Sequence, residues 1–443
     1  MSNPLHSMAE RQRVLREAWD ALGAGPVQPR AMSGDSYSEL EWDEHLTVTV
    51  GNADADIVGH DHRVIQAAVD YVAGLGGGTV KLLPGTYVFR NAVDLRSNVR
   101  LVGSGKDTVL CKADCVESKL ADNSDWFEQE MTLADATGFE IGDGVCFQFS
   151  APDGCKVIDA LGAQEIVVRR TIVGRSGKRF KLDQAIRANM FMKYDTTVST
   201  LFSMIKAENA SNIVIENLAI DGNRDHNPLV SGNFAACIWL LESNNIIVRD
   251  VEAHHYNGDG IVWAVCHDVL VENCHIHDNG GLGLHPGSGA QRAIIRGNTV
   301  ERCQRGLYFC WGVKFSLAEN NTLRDNVEHG ISIGHHDDYN IVRNNLVEGN
   351  KEIGIYLRRE HGEGFTPRGN YIENNRVVDN GHEAAAAIDI EQPVAGNVLA
   401  RNQIIETRSP AQRIGIRIES GCGENTLIDN AIEGFSQEIV DLR

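Results

Sequence analysis

From Gly260 onward the chain alternates apolar and polar positions in short bursts, each opened by a glycine: GIVW, GLHP, GLYF, GISI and GIYL. The opening glycines, Gly260, Gly283, Gly306, Gly330 and Gly354, are spaced 23, 23, 24 and 24 residues apart. A second marker keeps the same beat. Asn298, Asn321, Asn345, Asn375 and Asn402 each precede a short apolar segment, at spacings of 23, 24, 30 and 27 that place insertions in the later turns. Alternation with period 2 over four or five residues, bounded by Asn, Asp and Gly, predicts short β-strands, and no interval is long enough for a helix. A unit this small cannot bury its own apolar face and must stack on its neighbours. The pattern therefore predicts an all-β chain wound as a parallel β-solenoid.

The period also places side chains. Counting each ladder glycine as zero, positions one and three hold Ile261/Trp263, Leu284/Pro286, Leu307/Phe309, Ile331/Ile333 and Ile355/Leu357, and these are expected inside. Position two, on the outer face, reads Val262, His285, Tyr308, Ser332, Tyr356, Asp389 and Arg417, and position four reads Ala264, Gly287, Cys310, Gly334, Arg358, Glu391 and Glu419. Parallel rungs lie about 4.8 Å apart, so these positions form columns. Gly287 and Gly334 leave floor space, and Trp311 offers a flat face to a sugar ring. The middle coils thus predict a groove.

The segment VIQAAVDYVAGLGGGTVKLLPGTY, residues 64–87, followed by these repeats, resembles the pectate-lyase-like superfamily of right-handed parallel β-helices. In that group a capping helix ending in glycines leads into a first strand and a PGTY turn. The resemblance covers roughly residues 56–443 and implies a carbohydrate held on the outer face of one sheet. It leaves the reaction open, because a shared fold carries many activities.

Residues 1–55 stand apart as an N-terminal arm, with an amphipathic helix expected around 7–22 that packs on the solenoid or on a second subunit, so a homo-oligomer is one expectation. Residues 111–200, with GFEIGDGVCFQF and GRSGKRFKLD, read as hairpin strands of an inserted β-lobe forming one wall of the groove.

Charge narrows the partners. With 61 acidic against 41 basic residues the net charge is −20, which argues against nucleic acid or an anionic membrane surface as a partner. A local basic groove would still admit an acidic glycan. The ten cysteines form no C-x-x-C pair and are expected to be reduced and structural. No signal segment or membrane span is visible, so a cytoplasmic location is expected.

Candidate chemistry centres on GISIGHHDDYN, residues 330–340. His335, His336, Asp337 and Asp338 follow the strand at the rim of the groove, with His285, Tyr308, Arg358 and Glu360 within a rung or two. Asp389 and Glu391 place two carboxylates on one face of a strand, about 7 Å apart. HHYNGDG, residues 254–260, adds His254, His255 and Asp259 and stacks His254 near His277. No spacing there dictates a ligand set, so no metal is expected, although the acidic turns offer hard ligands suited to Ca²⁺.

Three functions fit. A glycoside hydrolase would draw its acid and its base or nucleophile from Asp337, Asp338, Glu360, Asp389 and Glu391, with Trp311, Arg358, Tyr356, Asp259 and His336 holding the sugar. A lyase or C5-epimerase on a uronate glycan would instead use His285, Tyr308, Tyr356 or His335 on the proton and Arg358 on the carboxylate. HHDD matches only part of the Asp-Pro-His-Asp signature of alginate epimerases. A non-catalytic, glycan-binding or spike-like solenoid is the third. Hydrolysis is the first expectation.

Overall fold

The computed structural model describes residues 7–23, 42–150, 165–359, 364–409 and 413–443; Cys155 and Glu360 lie outside them. The chain winds as a right-handed parallel β-helix. One long sheet carries 21 strands and a second carries 11 among the described residues. On the second sheet Ile205, Ile238, Ile261, Leu284, Leu307, Ile331, Ile355, Ile388, Ile416 and Ile439 follow one another rung by rung. The residues expected inside at positions one and three are buried throughout, with Trp263 and Phe309 among the largest fully enclosed side chains.

Both sequence markers have physical causes. A Cβ on Gly306 would meet the Gly330 carbonyl oxygen at 2.5 Å and Leu323 at 2.9 Å, and one on Gly330 would meet Val347 at 2.4 Å. Each ladder glycine therefore faces the core where adjacent coils approach closely. The asparagines form a chain of side-chain amides: Asn298, Asn321, Asn345, Asn375 and Asn402 each donate to the next at 2.9–3.0 Å, ending at Asn430. Two parallel columns, Asn326–Asn350–Asn380 and Asn340–Asn370–Asn397–Asn425, repeat the device at other corners. These buried amides satisfy turn groups that water cannot reach.

Helix α1 (Met8–Ala21) opens with a capping box between Ser7 and Glu10. Its Leu15 and Ala18 pack on a ridge of outward residues, Val214, Ile247, Leu270, Ile294, Leu317 and Ile341, so the arm lies along the solenoid. Helix α2 (His62–Gly74), capped by Asp61, buries Ile65, Ala68, Val69 and Val72 and closes the first coil. The lobe is a six-stranded antiparallel sheet running from Glu117–Lys119 to Thr197–Ser199, with its own core around Phe139, Phe147 and Phe180. Burial pushes the thiols of Cys266, Cys274 and Cys303 up to about 12. No described helix is long and apolar enough to cross a membrane.

Candidate functional site

The outer face of the second sheet brings His285, Tyr308, Ser332, Tyr356 and Asp389 into one column, as the period requires. Tyr308 lies at its centre. Its half-buried ring receives the Arg358 guanidinium at 4.1 Å and that of Arg305 at 4.9 Å, and His285 meets it edge-on at 5.8 Å. Arg358 reaches across a coil to get there. It donates to the Phe309 carbonyl at 2.6 Å and to Ser332 Oγ at 3.0 Å, over Gly334, whose Cβ would stand 2.3 Å from the guanidinium carbon.

His285 is held from beneath. Its Nδ1 lies 2.7 Å from an Asp259 carboxylate oxygen, both side chains being about 5% exposed or less. The other Asp259 oxygen accepts from the Leu282 N–H at 2.8 Å. Gly232 and Gly281 make room, since a Cβ on either would strike that carboxylate at 1.8 or 2.1 Å. Burial works against a charged imidazole here, but the bond to Asp259, with Cys310 nearby, outweighs it and raises the His285 pKa to about 10. The opposite case lies two coils on. Burial and the charges of Arg305 and Arg358 push His329 down to about 4, and its ring packs edge-on against Tyr356 at 4.7 Å. One face thus carries an imidazolium and a neutral imidazole near pH 7, the divergence expected where acid and base roles are divided.

The described carboxylates expected to cleave a glycosidic bond are all held by neighbouring donors. Asp337 is fully buried: it accepts from the Val313 N–H at 2.9 Å and the Gly334 N–H at 2.7 Å, and lies 3.5 Å from Arg358. Asp338, also fully buried, accepts from Lys314 Nζ at 3.0 Å and the Arg368 N–H at 3.2 Å. Both stitch neighbouring coils together, because a turn this tight leaves backbone donors that only a carboxylate satisfies. Neither opens onto the groove. Asp389 is buried in a bidentate pair with Arg417. Glu391 accepts from the Arg359 N–H at 2.9 Å, and burial and the Glu391 carboxylate together hold the Tyr356 phenol well above its usual range. Asp259, expected to touch sugar, is instead the support of His285. His335 stacks on Trp311 at 4.6 Å and lies 4.9 Å from Phe365, forming an aromatic rail at the strand ends with His336 beside it.

Arg305 and His329 were not foreseen. Simple alternation puts the residue before each ladder glycine inside, but the glycine and the residue after it both face the core, so the parity flips at that bend. Asp259, Arg305 and His329 all reach the outer face this way. The lobe supplies a wall: its Arg169 lies over the Trp239 ring at 4.0 Å, two rungs before His285. A cleft of about 320 Å³ opens there, lined by Arg169, Arg187, Lys206, Glu208 and Asp183.

Comparison with known proteins agrees with this fold. A family model described as a right handed beta helix region matches residues 236–432. No curated protein matches the sequence. Among solved structures, the A-module of Azotobacter vinelandii mannuronan C-5 epimerase AlgE6 superposes with a TM-score of 0.51 at 17% identity, covering 86% of this chain and 92% of that one. The AlgE4 A-module gives 0.49 at 17% identity over 86% and 94%. An exopolygalacturonase from Thermotoga maritima gives 0.46 at 13% identity over 98% and 96%. The chain thus has the right-handed parallel β-helix fold.

Proposed function

We propose that the protein acts on a uronate-containing glycan by removing the proton at C5 of the sugar, the step shared by polysaccharide lyases and C5-epimerases. One observation carries this choice over hydrolysis: the partly exposed Tyr308 ring is flanked by the cations Arg358 and Arg305 and by His285, while the carboxylates of Asp337, Asp338 and Asp389 are taken up by backbone, lysine and arginine donors. Hydrolysis needs two carboxyl groups free to reach the two sides of a glycosidic bond. Proton abstraction next to a carboxylate needs cations where charge accumulates on the enediolate and a group that exchanges a proton.

In this scheme Arg305, 28% exposed and paired with Glu328 at 2.5 Å, exchanges that partner for the uronate carboxylate. Tyr308 acts as the phenolate, the form its neighbours Arg358 and His285 favour: its oxygen takes the C5 proton and becomes a neutral phenol, and the negative charge passes to the substrate's enediolate, where Arg305 and Arg358 meet it. Asp259 keeps His285 charged and oriented, a positioning role. Protonation of the opposite face would give the epimer; departure of the group at C4 would give an unsaturated product.

The test incubates the protein with mannuronate, guluronate and galacturonate oligomers in D₂O, reading deuterium at C5, unsaturated-product absorbance and reducing ends. Deuterium or absorbance supports the reading. Tyr308→Phe should lower that rate at least ~100-fold with unchanged circular dichroism. Reducing ends alone, or full activity in Tyr308→Phe, would overturn it.

A further inference from the structure

On the long sheet, the strands Asn244–His254 and His275–His277 pair Glu252 with His275 and His254 with His277, and Thr299–Glu301 adds Glu301 beside His277. Alternation sends Ala253 and Ile276 into the core and these polar residues outward. Glu252 Oε1 lies 3.1 Å from His277 Nε2 and 3.9 Å from His275 Nδ1. One ligand atom from each of the three falls within 4.8 Å of the others.

The remaining ring nitrogens are fixed from behind. His277 Nδ1 sits 2.7 Å from Asp278, and His275 Nε2 sits 3.1 Å from Glu301. Arg302 holds both of those carboxylates at 2.8 Å. Each imidazole is therefore oriented by a carboxylate on one nitrogen and turns the other toward Glu252, which is how outer-shell carboxylates prepare histidines for a metal. The neighbouring column is built differently: Glu272–Arg296 and Glu319–Arg343 alternate carboxylate with guanidinium at 2.7 and 2.9 Å.

We propose that Glu252, His275 and His277 bind one divalent transition-metal ion, Zn²⁺ or a near neighbour in the series. Two imidazoles and one carboxylate suit such ions rather than Ca²⁺ or Mg²⁺, which prefer oxygen. The ion takes the place of the Glu252–histidine hydrogen bonds. His254 stacks on His277 at 5.0 Å and is itself engaged with His255, Nδ1 to Nδ1 at 2.8 Å.

Calorimetric titration of the untagged, chelator-treated protein with ZnCl₂ and CoCl₂ tests this. One ion per chain should bind in the micromolar range or tighter, with visible d–d absorption for Co²⁺ and a rise in melting temperature with Zn²⁺. His277→Ala and His275→Gln should each weaken binding at least tenfold, and Asp278→Asn, which leaves all three ligands in place, about tenfold. The exposed His382→Ala should bind as the parent does. Metal-free circular dichroism and melting curves confirm that each variant folds. Absence of micromolar binding, or binding that survives in both His277→Ala and His275→Gln, would overturn the proposal.

Discussion

The Asp259–His285 pair permits a sharp test by Asp259→Asn, an isosteric change that keeps the space provided by Gly232 and Gly281. A pKa raised from 6.5 to about 10 corresponds to roughly 5 kcal/mol, at about 1.4 kcal/mol per pH step. The bond to Asp259 is the largest of the causes that raise this pKa, ahead of Cys310, so we expect Asp259→Asn to cost about 3 kcal/mol, the low end for breaking a buried ion pair. The sign with pH follows from the direction. A folded pKa above the unfolded one contributes its full stability below pH 6.5, and that contribution declines as pH rises toward 10 and is lost above it. The gap between parent and variant in denaturant melts should therefore be widest at pH 6 and shrink by more than half by pH 10.5. In ¹³C-histidine NMR, His285 should titrate far above 6.5 in the parent and fall in the variant. A pH-independent gap, or His285 titrating near 6.5 in the parent, would refute this account of the site's electrostatics.

Other consequences are direct. Gly334→Ala should push the Arg358 guanidinium off Tyr308, because the new Cβ would sit 2.3 Å from it; C5 exchange should drop about as far as in Arg358→Ala, by ~100-fold or more, while the far-ultraviolet spectrum is kept. Asp337→Asn and Asp338→Asn should act on stability instead, each costing about 1–3 kcal/mol through backbone or lysine donors left without a charged acceptor. Their folded fractions should retain parental exchange rates in D₂O assays, and a stable, inactive Asp337→Asn would return that carboxylate to the chemistry.

How far the site could be read in advance varies by residue. His285, Tyr308 and Arg358 were placed on one outer face by counting alone, since a strand alternates strictly and parallel rungs repeat it. Arg305 and His329 escaped because the core-facing ladder glycine reverses the alternation just before the strand, and nothing in the local pattern marks such a bend. Asp337 and Asp338 misled for a related reason. A solvent-facing turn and a turn folded under the next coil contain the same residue types, and only the approach of Val313, Gly334, Lys314 and Arg368 separates them.

By itself, then, the sequence determined the solenoid, its core columns and the outer face on which His285, Tyr308 and Arg358 sit, because all of these follow from short-range periodicity repeated at a constant interval; the capping helix came from the family resemblance of residues 64–87. Tertiary structure alone decided which polar side chains are free. Whether a carboxylate can act depends on donors contributed from one coil away, as with Asp389 and Arg417 or Asp259 and His285. The charge state of each histidine likewise depends on burial and on neighbours remote in sequence: two residues of one type on one face are pushed to about 10 and about 4. Desolvation and charge pairing act over a few ångströms of space, and no linear spacing encodes them.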